Sequence, residues 1–237
     1  MRLPRVRLLP RTDISLLRDC DALATSANAG LVGNANPNFW RFTGRRNADG
    51  ALHRAAGPRL LEACIDLAAV GSVRCGIGEA VTTPAFDLHA AMVIHAVSPD
   101  GLYGAGQQRW WGRRQWSGGQ GARDVHLEEA PPAGEANELL SQTYGAVLAA
   151  ANEHGVQSVA IPAIGAGVLG FAAGRTAKAA VGAFRAHDAR VGTLDRIDVA
   201  LLDDSAFRAW SSAFRALLGE PQAVDDAGVE TYDLRRT

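Results

Sequence analysis

Residues 159–171 read VAIPAIGAGVLGF. Val159 to Ile164 is a short apolar run without strict alternation, the pattern of a strand covered on both faces. Gly165-Ala166-Gly167-Val168-Leu169-Gly170-Phe171 follows it directly, and a helical pattern begins near Ala173. A strand, a glycine-rich turn and a helix start make the physical recipe for a phosphate cradle, although taken alone the loop also reads as an ordinary tight turn. Glycines let the backbone come close, and amides point inward at the positive end of a helix. No Lys-Ser/Thr pair follows, which excludes a P-loop.

The same alternation extends in both directions. Ala22-Leu23-Ala24, Met92 to Val97 and Ile197 to Leu202 are further apolar runs of strand length, and Val6 to Leu9 is strand-like. Helical stripes lie between and beyond them. Leu140, Tyr144, Val147, Leu148 and Ala151 form one, Ala177, Ala180, Val181 and Phe184 a second, and Phe207, Trp210, Phe214, Leu217 and Leu218 a third. Another helix spans about Gly50 to Ala69, interrupted or kinked at Pro58. Strands alternating with helices predict an α/β sandwich with a largely parallel sheet. In such sheets the ligand lies beyond the carboxyl ends of the strands.

The bulk composition narrows the function. At 237 residues, 47% of them hydrophobic, the chain is long enough for one large α/β domain with a sizeable core. A net charge of -1 makes it no basic nucleic-acid binder overall, so any anion site is local. Cys20, Cys64 and Cys75 are sparse and lack CxxC spacing, which argues against a disulfide scaffold or a zinc site and for reduced thiols in an intracellular, cytoplasmic setting. Organelle targeting stays open. No apolar stretch approaches the ~18 residues a membrane span needs. The polar, aperiodic residues 220–237 read as a loose tail after a domain of residues 1–219.

Two more segments carry chemistry. In Asp21-Ala22-Leu23-Ala24-Thr25-Ser26-Ala27-Asn28 a buried strand ends on an asparagine, whose amide can both donate to and accept from a sugar hydroxyl. On its own it also reads as a turn former. In Asn47-Ala48-Asp49-Gly50-Ala51-Leu52-His53-Arg54-Ala55-Ala56-Gly57-Pro58 a carboxylate stands at a loop-to-helix junction. Asp49 reads first as a helix cap and, more sharply, as a group that binds or polarises something at the helix start. The histidines show no metal-ligand spacing. His53 and His95 read as core or supporting residues, and Cys64 and Cys75 as small core residues.

Taken in order, these segments resemble the macrodomain family over about Arg5 to Leu218. The strand ending at Asn28, the block Ala48 to Pro58, Cys75-Gly76-Ile77-Gly78-Glu79-Ala80, Val93-Ile94-His95-Ala96-Val97-Ser98-Pro99, and Pro162 through Phe171 are each similar to a family motif. The closest likeness is to the hydrolase branch. The resemblance implies a three-layer α/β/α sandwich with a mixed, largely parallel sheet. It also implies an ADP-ribose pocket, no cofactor and no metal. Asp13 and Ile14 then belong to the adenine site, and Asn28 and Asp49 to the distal ribose. Gly165, Ala166, Gly167, Val168, Leu169, Gly170 and Phe171 belong to the diphosphate loop. Phe207 corresponds to an aromatic placed against adenine.

The chain departs from the family where a glycine-rich first loop is expected. Leu31-Val32-Gly33 leads into an insertion near residues 34–47, which ends in Gly44-Arg45-Arg46-Asn47. Arg45 and Arg46 can bind an extra phosphate on the distal ribose, as in ADP-ribose 1″-phosphate, or can simply be solvated. A second insertion, near residues 100–135, carries Arg109-Trp110-Trp111, Arg113-Arg114 and Trp116. Arginine interleaved with tryptophan suits nucleic-acid stacking, a protein contact or a lid packed on the domain itself.

Two function classes follow. A hydrolase would act at the distal ribose: removing ADP-ribose from acidic side chains, deacetylating O-acetyl-ADP-ribose, or processing ADP-ribose 1″-phosphate. Asp49 and Asn28 would be its catalytic residues. A reader would bind ADP-ribose or an ADP-ribosylated protein without turnover. A nucleic-acid-associated protein using the Arg/Trp insertion is a less favoured third reading. A monomer with no membrane partner is expected.

Overall fold

The computed structural model describes residues 3–32, 47–101, 133–187 and 192–234. The strands are β1 (Arg5–Pro10), β2 (Ala22–Ala27), β3 (Ala80–Pro84), β4 (Met92–Val97), β5 (Ser158–Pro162), β6 (Arg196–Leu201), β7 (Ala223–Val224) and β8 (Glu230–Asp233). They form one eight-stranded sheet in the order β3-β4-β2-β5-β6-β1-β8-β7. The β4-β2-β5-β6-β1 pairings are parallel, and β3, β8 and β7 join antiparallel. The sheet is therefore mixed and largely parallel.

Helices cover both faces. On one side lie α3 (Ala133–Glu153), α4 (Ala173–Ala186) and α5 (Asp204–Leu218). Their stripes, Leu140, Tyr144, Val147, Leu148 and Ala151 on α3 among them, bury against Val6, Ala24, Ile94 and Ile161. On the other side α1 (Ala48–Ala56) and α2 (Pro58–Asp66) place Leu52, Ala56 and Leu60 against Leu23, Val93 and Ala160. Alternate residues of one strand thus serve opposite layers, as the period of two requires.

Local chemistry sets the element boundaries. The helical stretch expected over about Gly50 to Ala69 is interrupted at Pro58, as its sequence implies, and forms two helices, because Gly57 takes φ 78° and Pro58 then starts α2 at its first position. Asp203 caps α5 by accepting from the Ala206 amide at 2.8 Å. On the sheet, Arg7 bridges to the buried Asp198 through Nε and Nη2, both at 2.6 Å, which ties β1 to its parallel neighbour β6.

The tail read as loose is ordered as far as Leu234. β8 pairs antiparallel with β1, and Tyr232 and Leu234 enter the core. Glu230 is held by Tyr232, Ser211 and Arg215 at 2.6, 3.0 and 2.6 Å, which fastens the strand to α5. The polar residues hid a strand that hydrogen-bonds a sheet edge. Among the described residues no helix is long and apolar enough to cross a membrane.

Candidate functional site

Because β1, β2, β4, β5 and β6 run parallel, the segments after them emerge at one edge of the sheet. These are the turn at Asp13, the turn at Asn28, Ser98 to Gly101, the Gly165 loop and the start of α5. The sequence-predicted residues that are described gather at this edge.

Asn47 caps α1, its Oδ1 accepting from the Gly50 amide at 2.6 Å. The cap is therefore Asn47 and not Asp49. Asp49 lies within the first turn, only 4% exposed. Thr25 Oγ1 on β2 donates to Asp49 Oδ1 at 3.2 Å, and His53 Nε2 lies 3.8 Å from the same oxygen, one helical turn on. Thr25 is three residues before Asn28, so this hydrogen bond holds the carboxylate beside the strand that ends at the asparagine. Asn28 is half-buried and caps its own turn: its carbonyl accepts from Leu31 N at 2.9 Å and its Oδ1 from Val32 N at 3.4 Å. The amide N–H donors are then the part best placed to meet a sugar oxygen.

The glycine loop is fixed from below. Gly165 and Gly170 take φ 83° and 75°, a region that favours glycine. The Phe171 amide closes onto Gly165 O at 3.0 Å, and Gly101 N donates to Leu169 O at 2.7 Å. A Cβ on Gly101 would come within 2.5 Å of the Phe171 ring, and one on Gly165 within 3.0 Å. Phe171 is thus a buried strut under the loop, and backbone amides are what the loop presents. Tyr144 Oη, on α3, donates to Ile164 O at 3.2 Å and anchors the loop at its start. Among the described residues no backbone acceptor takes the amides of Gly167, Val168 or Leu169. Nor does any side chain cap the start of α4, so the amides of Ala173 and Gly174 face the same end, while those of Arg175 and Thr176 donate to Ala172 O. Such a nest of donors suits a diphosphate.

At the far end, Asp13 Oδ1 accepts from Ser15 N at 3.0 Å and Ser15 Oγ at 2.8 Å, shaping a 3-10 turn over Ile14–Leu16 in which Ile14 is buried. The second carboxylate oxygen is the acceptor such a group has in reserve. Phe207 is half-buried in the first turn of α5 and packs on the α3-α4-α5 core. Arg45, Arg46 and the arginines and tryptophans of the second insertion lie outside the described residues.

Behind Asp49 is a polar cluster the sequence did not bring together. His53, Cys64 and His95 approach within 4.8 Å of one another. Their chemistry fits a metal poorly. Thr83 Oγ1 already meets His95 Nε2 at 2.9 Å. Among the described residues His95 Nδ1 has no acceptor to orient the ring, as a ligating imidazole normally has. Burial, with a smaller contribution from His53, pulls His95 down to about 3, so it is neutral at pH 7. The sequence reading of His95 as a supporting core residue holds for Nε2, while Nδ1 finds no partner among the described residues. Burial likewise pushes the Cys64 thiol up to about 12, which leaves no thiolate to act as nucleophile.

Thr25, Tyr144 and Gly101 were missed as site residues. Each acts through one contact far along the chain, and in sequence each reads only as part of a strand, a core stripe or a loop.

A family profile described as Macro domain matches residues 27–109 and 127–180. A macro domain-containing protein of Ralstonia nicotianae is 35% identical over 218 residues, covering 92% of this chain and 95% of that one. An O-acetyl-ADP-ribose deacetylase of Salmonella typhimurium is 35% identical over 161 residues, 68% of each chain. Among solved structures, the Oceanobacillus iheyensis macrodomain with ADP superimposes with a TM-score of 0.64 at 22% identity, covering 90% of each chain. The Trypanosoma brucei macrodomain in complex with ADP-ribose gives 0.59 at 22% identity, covering 86% of this chain and 67% of that one. At those identities the structural likeness speaks to the fold.

Proposed function

The chain belongs to the macrodomain family, and from that premise we propose that it binds ADP-ribose along the carboxyl edge of the sheet and hydrolyses an ester at the distal ribose. The substrates are O-acetyl-ADP-ribose or ADP-ribose esterified to an acidic side chain. The observation that carries the reading is the buried Asp49 carboxylate, held by Thr25 next to the strand that ends in Asn28. A carboxylate in that position can orient and deprotonate a water. Water adds to the acyl carbon, the bond to the ribose oxygen breaks, and a carboxylic acid and ADP-ribose leave. Asn28 would hold the ribose, the amides of Gly167, Val168 and Leu169 the diphosphate, and Asp13 with Ile14 the adenine. The relatives named as O-acetyl-ADP-ribose deacetylases support the same class of reaction.

The test is titration with ADP-ribose, ADP and AMP, followed by turnover of O-acetyl-ADP-ribose by the parent and by Asp49→Ala. The expected result is a fall in kcat of about 100-fold or more with affinity changed only a few-fold, the signature of a group used in the transition state. Binding without turnover in the parent would make the protein a reader. Failure to bind ADP-ribose would end the proposal.

A further inference from the structure

The turn that carries Asn28 is under strain. Leu31, buried at its far side, takes φ 53°, a left-handed conformation that a branched side chain adopts only where its surroundings hold it there. What holds it comes from elsewhere in the chain. Residues 70–73 form a tight reversal, closed by Val70 N to Val73 O at 2.9 Å and Val73 N to Val70 O at 3.1 Å. This delivers Arg74 and Cys75 onto the turn, where the Arg74 and Cys75 amides donate to Ala29 O at 2.8 and 3.2 Å. The Arg74 guanidinium then spans two elements. Nη1 donates to Gly30 O at 3.1 Å, and Nε donates to Ile65 O, in the last turn of α2, at 3.1 Å. Gly30 is pressed between this segment and the asparagine: a Cβ there would lie 3.4 Å from Ser72 O and 3.5 Å from Asn28 Oδ1.

We propose that Arg74 is a positioning residue for the distal ribose. It locks the Asn28 turn to the end of α2 and so fixes the direction in which the Asn28 amide is presented. The planar fork of arginine reaches two carbonyls from one group, which the point charge of lysine cannot reproduce. A carbonyl already bonded to Arg74 cannot swing, and the strained turn keeps one conformation. The inference rests on the reading of Asn28 as a ribose contact.

A purely structural role and a positioning role differ in which ligand feels the change. ADP contains the adenine and the diphosphate but lacks the distal ribose. Affinities for ADP-ribose and ADP are measured by calorimetry for the parent, Asn28→Ala, Arg74→Met and Arg74→Lys. Methionine preserves the aliphatic stem where alanine would also lose packing. The expected result is that Arg74→Met and Arg74→Lys each lose about tenfold in ADP-ribose affinity, the worth of one or two hydrogen bonds, while ADP affinity stays within about twofold. Equal losses for both ligands would make Arg74 a fold-supporting residue only and overturn the proposal. So would restoration of full ADP-ribose affinity by lysine, or an unchanged preference for ADP-ribose over ADP in both variants. If Asn28→Ala also keeps that preference, the reading of Asn28 itself fails and the inference falls with it. If Asn28→Ala abolishes the preference and the Arg74 variants keep it, the inference alone falls.

Discussion

The Thr25 hydroxyl donates to a carboxylate that is almost wholly buried. A hydrogen bond to a charged group is worth more than a neutral one, and its loss leaves a buried charge short of a donor. Thr25→Val keeps the shape and removes the donor. It is expected to cost about 1–3 kcal/mol of stability and to lower kcat more than affinity, read from denaturant unfolding beside steady-state kinetics. His95 ties stability to pH. Its folded pKa lies at about 3 and its ordinary value at 6.5. Below about pH 6.5 the unfolded chain takes up a proton that the native state refuses, so stability is complete above that pH and declines as the pH falls toward 3. The slope approaches about 1.4 kcal/mol per pH unit. His95→Gln removes the proton site while keeping a polar partner for Thr83. Its unfolding free energy, followed from pH 7 to pH 5, is expected to be flatter than the parent's. Parallel profiles would show that another group sets the acid limb.

At the scale of elements, the glycine loop separates backbone requirement from ligand space. A Cβ on Gly165 would meet the Phe171 ring, Leu140 and Ser98 at 3.0 to 3.2 Å from a backbone with φ 83°. A Cβ on Gly167 would meet nothing within 4 Å among the described residues. Gly165→Ala is therefore expected to lower the melting temperature, since left-handed backbone alone costs a side-chain-bearing residue about 1–2 kcal/mol. Gly167→Ala is expected to melt like the parent and still bind ADP and ADP-ribose less well, because in the proposed site its methyl would stand where the diphosphate approaches. If Gly167→Ala binds both as the parent does, the diphosphate does not lie on this loop. The loop was legible in the sequence because its glycines sit between a strand and a helix. The helices were legible because each buries a single stripe, as Leu140 to Ala151 does. The strands β3 and β8 were not. They lie toward the sheet margins, pair antiparallel and carry Thr82, Thr83, Glu230 and Thr231, so no apolar run announces them. The site divides the same way. Asp49, Asn28 and the loop stand at junctions that local pattern marks. Thr25, Tyr144 and Arg74 act on partners fixed only by the sheet order and by the reversal at Val70 to Val73, which no local pattern encodes.

Across the whole molecule, the residues proposed to contact adenine, diphosphate and ribose lie on segments that follow different strands. Asp13 comes after β1, Asn28 after β2 and the glycine loop after β5. A ligand spanning them bridges segments that are neighbours only in the folded sheet. It therefore binds the native state and not the unfolded chain, and must stabilise the fold by mass action. At 100 times its dissociation constant the gain is about 2.7 kcal/mol. For a chain of this size that raises the melting temperature by roughly 5–10 °C. The division of the site makes the effect dissectible by scanning melts with AMP, ADP and ADP-ribose, each at the same fixed concentration. Asp13→Ala should shrink the shift from all three, since all contain adenine. Asn28→Ala should shrink the shift from ADP-ribose alone. If Asp13→Ala leaves the AMP shift intact, adenine binds elsewhere and the assignment of the β1 end is wrong. If AMP already gives the full ADP-ribose shift, the distal ribose contributes no binding energy. The edge formed by Asn28 and Asp49 would then have to act on the ribose without holding it, which a hydrolase that needs its ester placed to within about 0.5 Å cannot do.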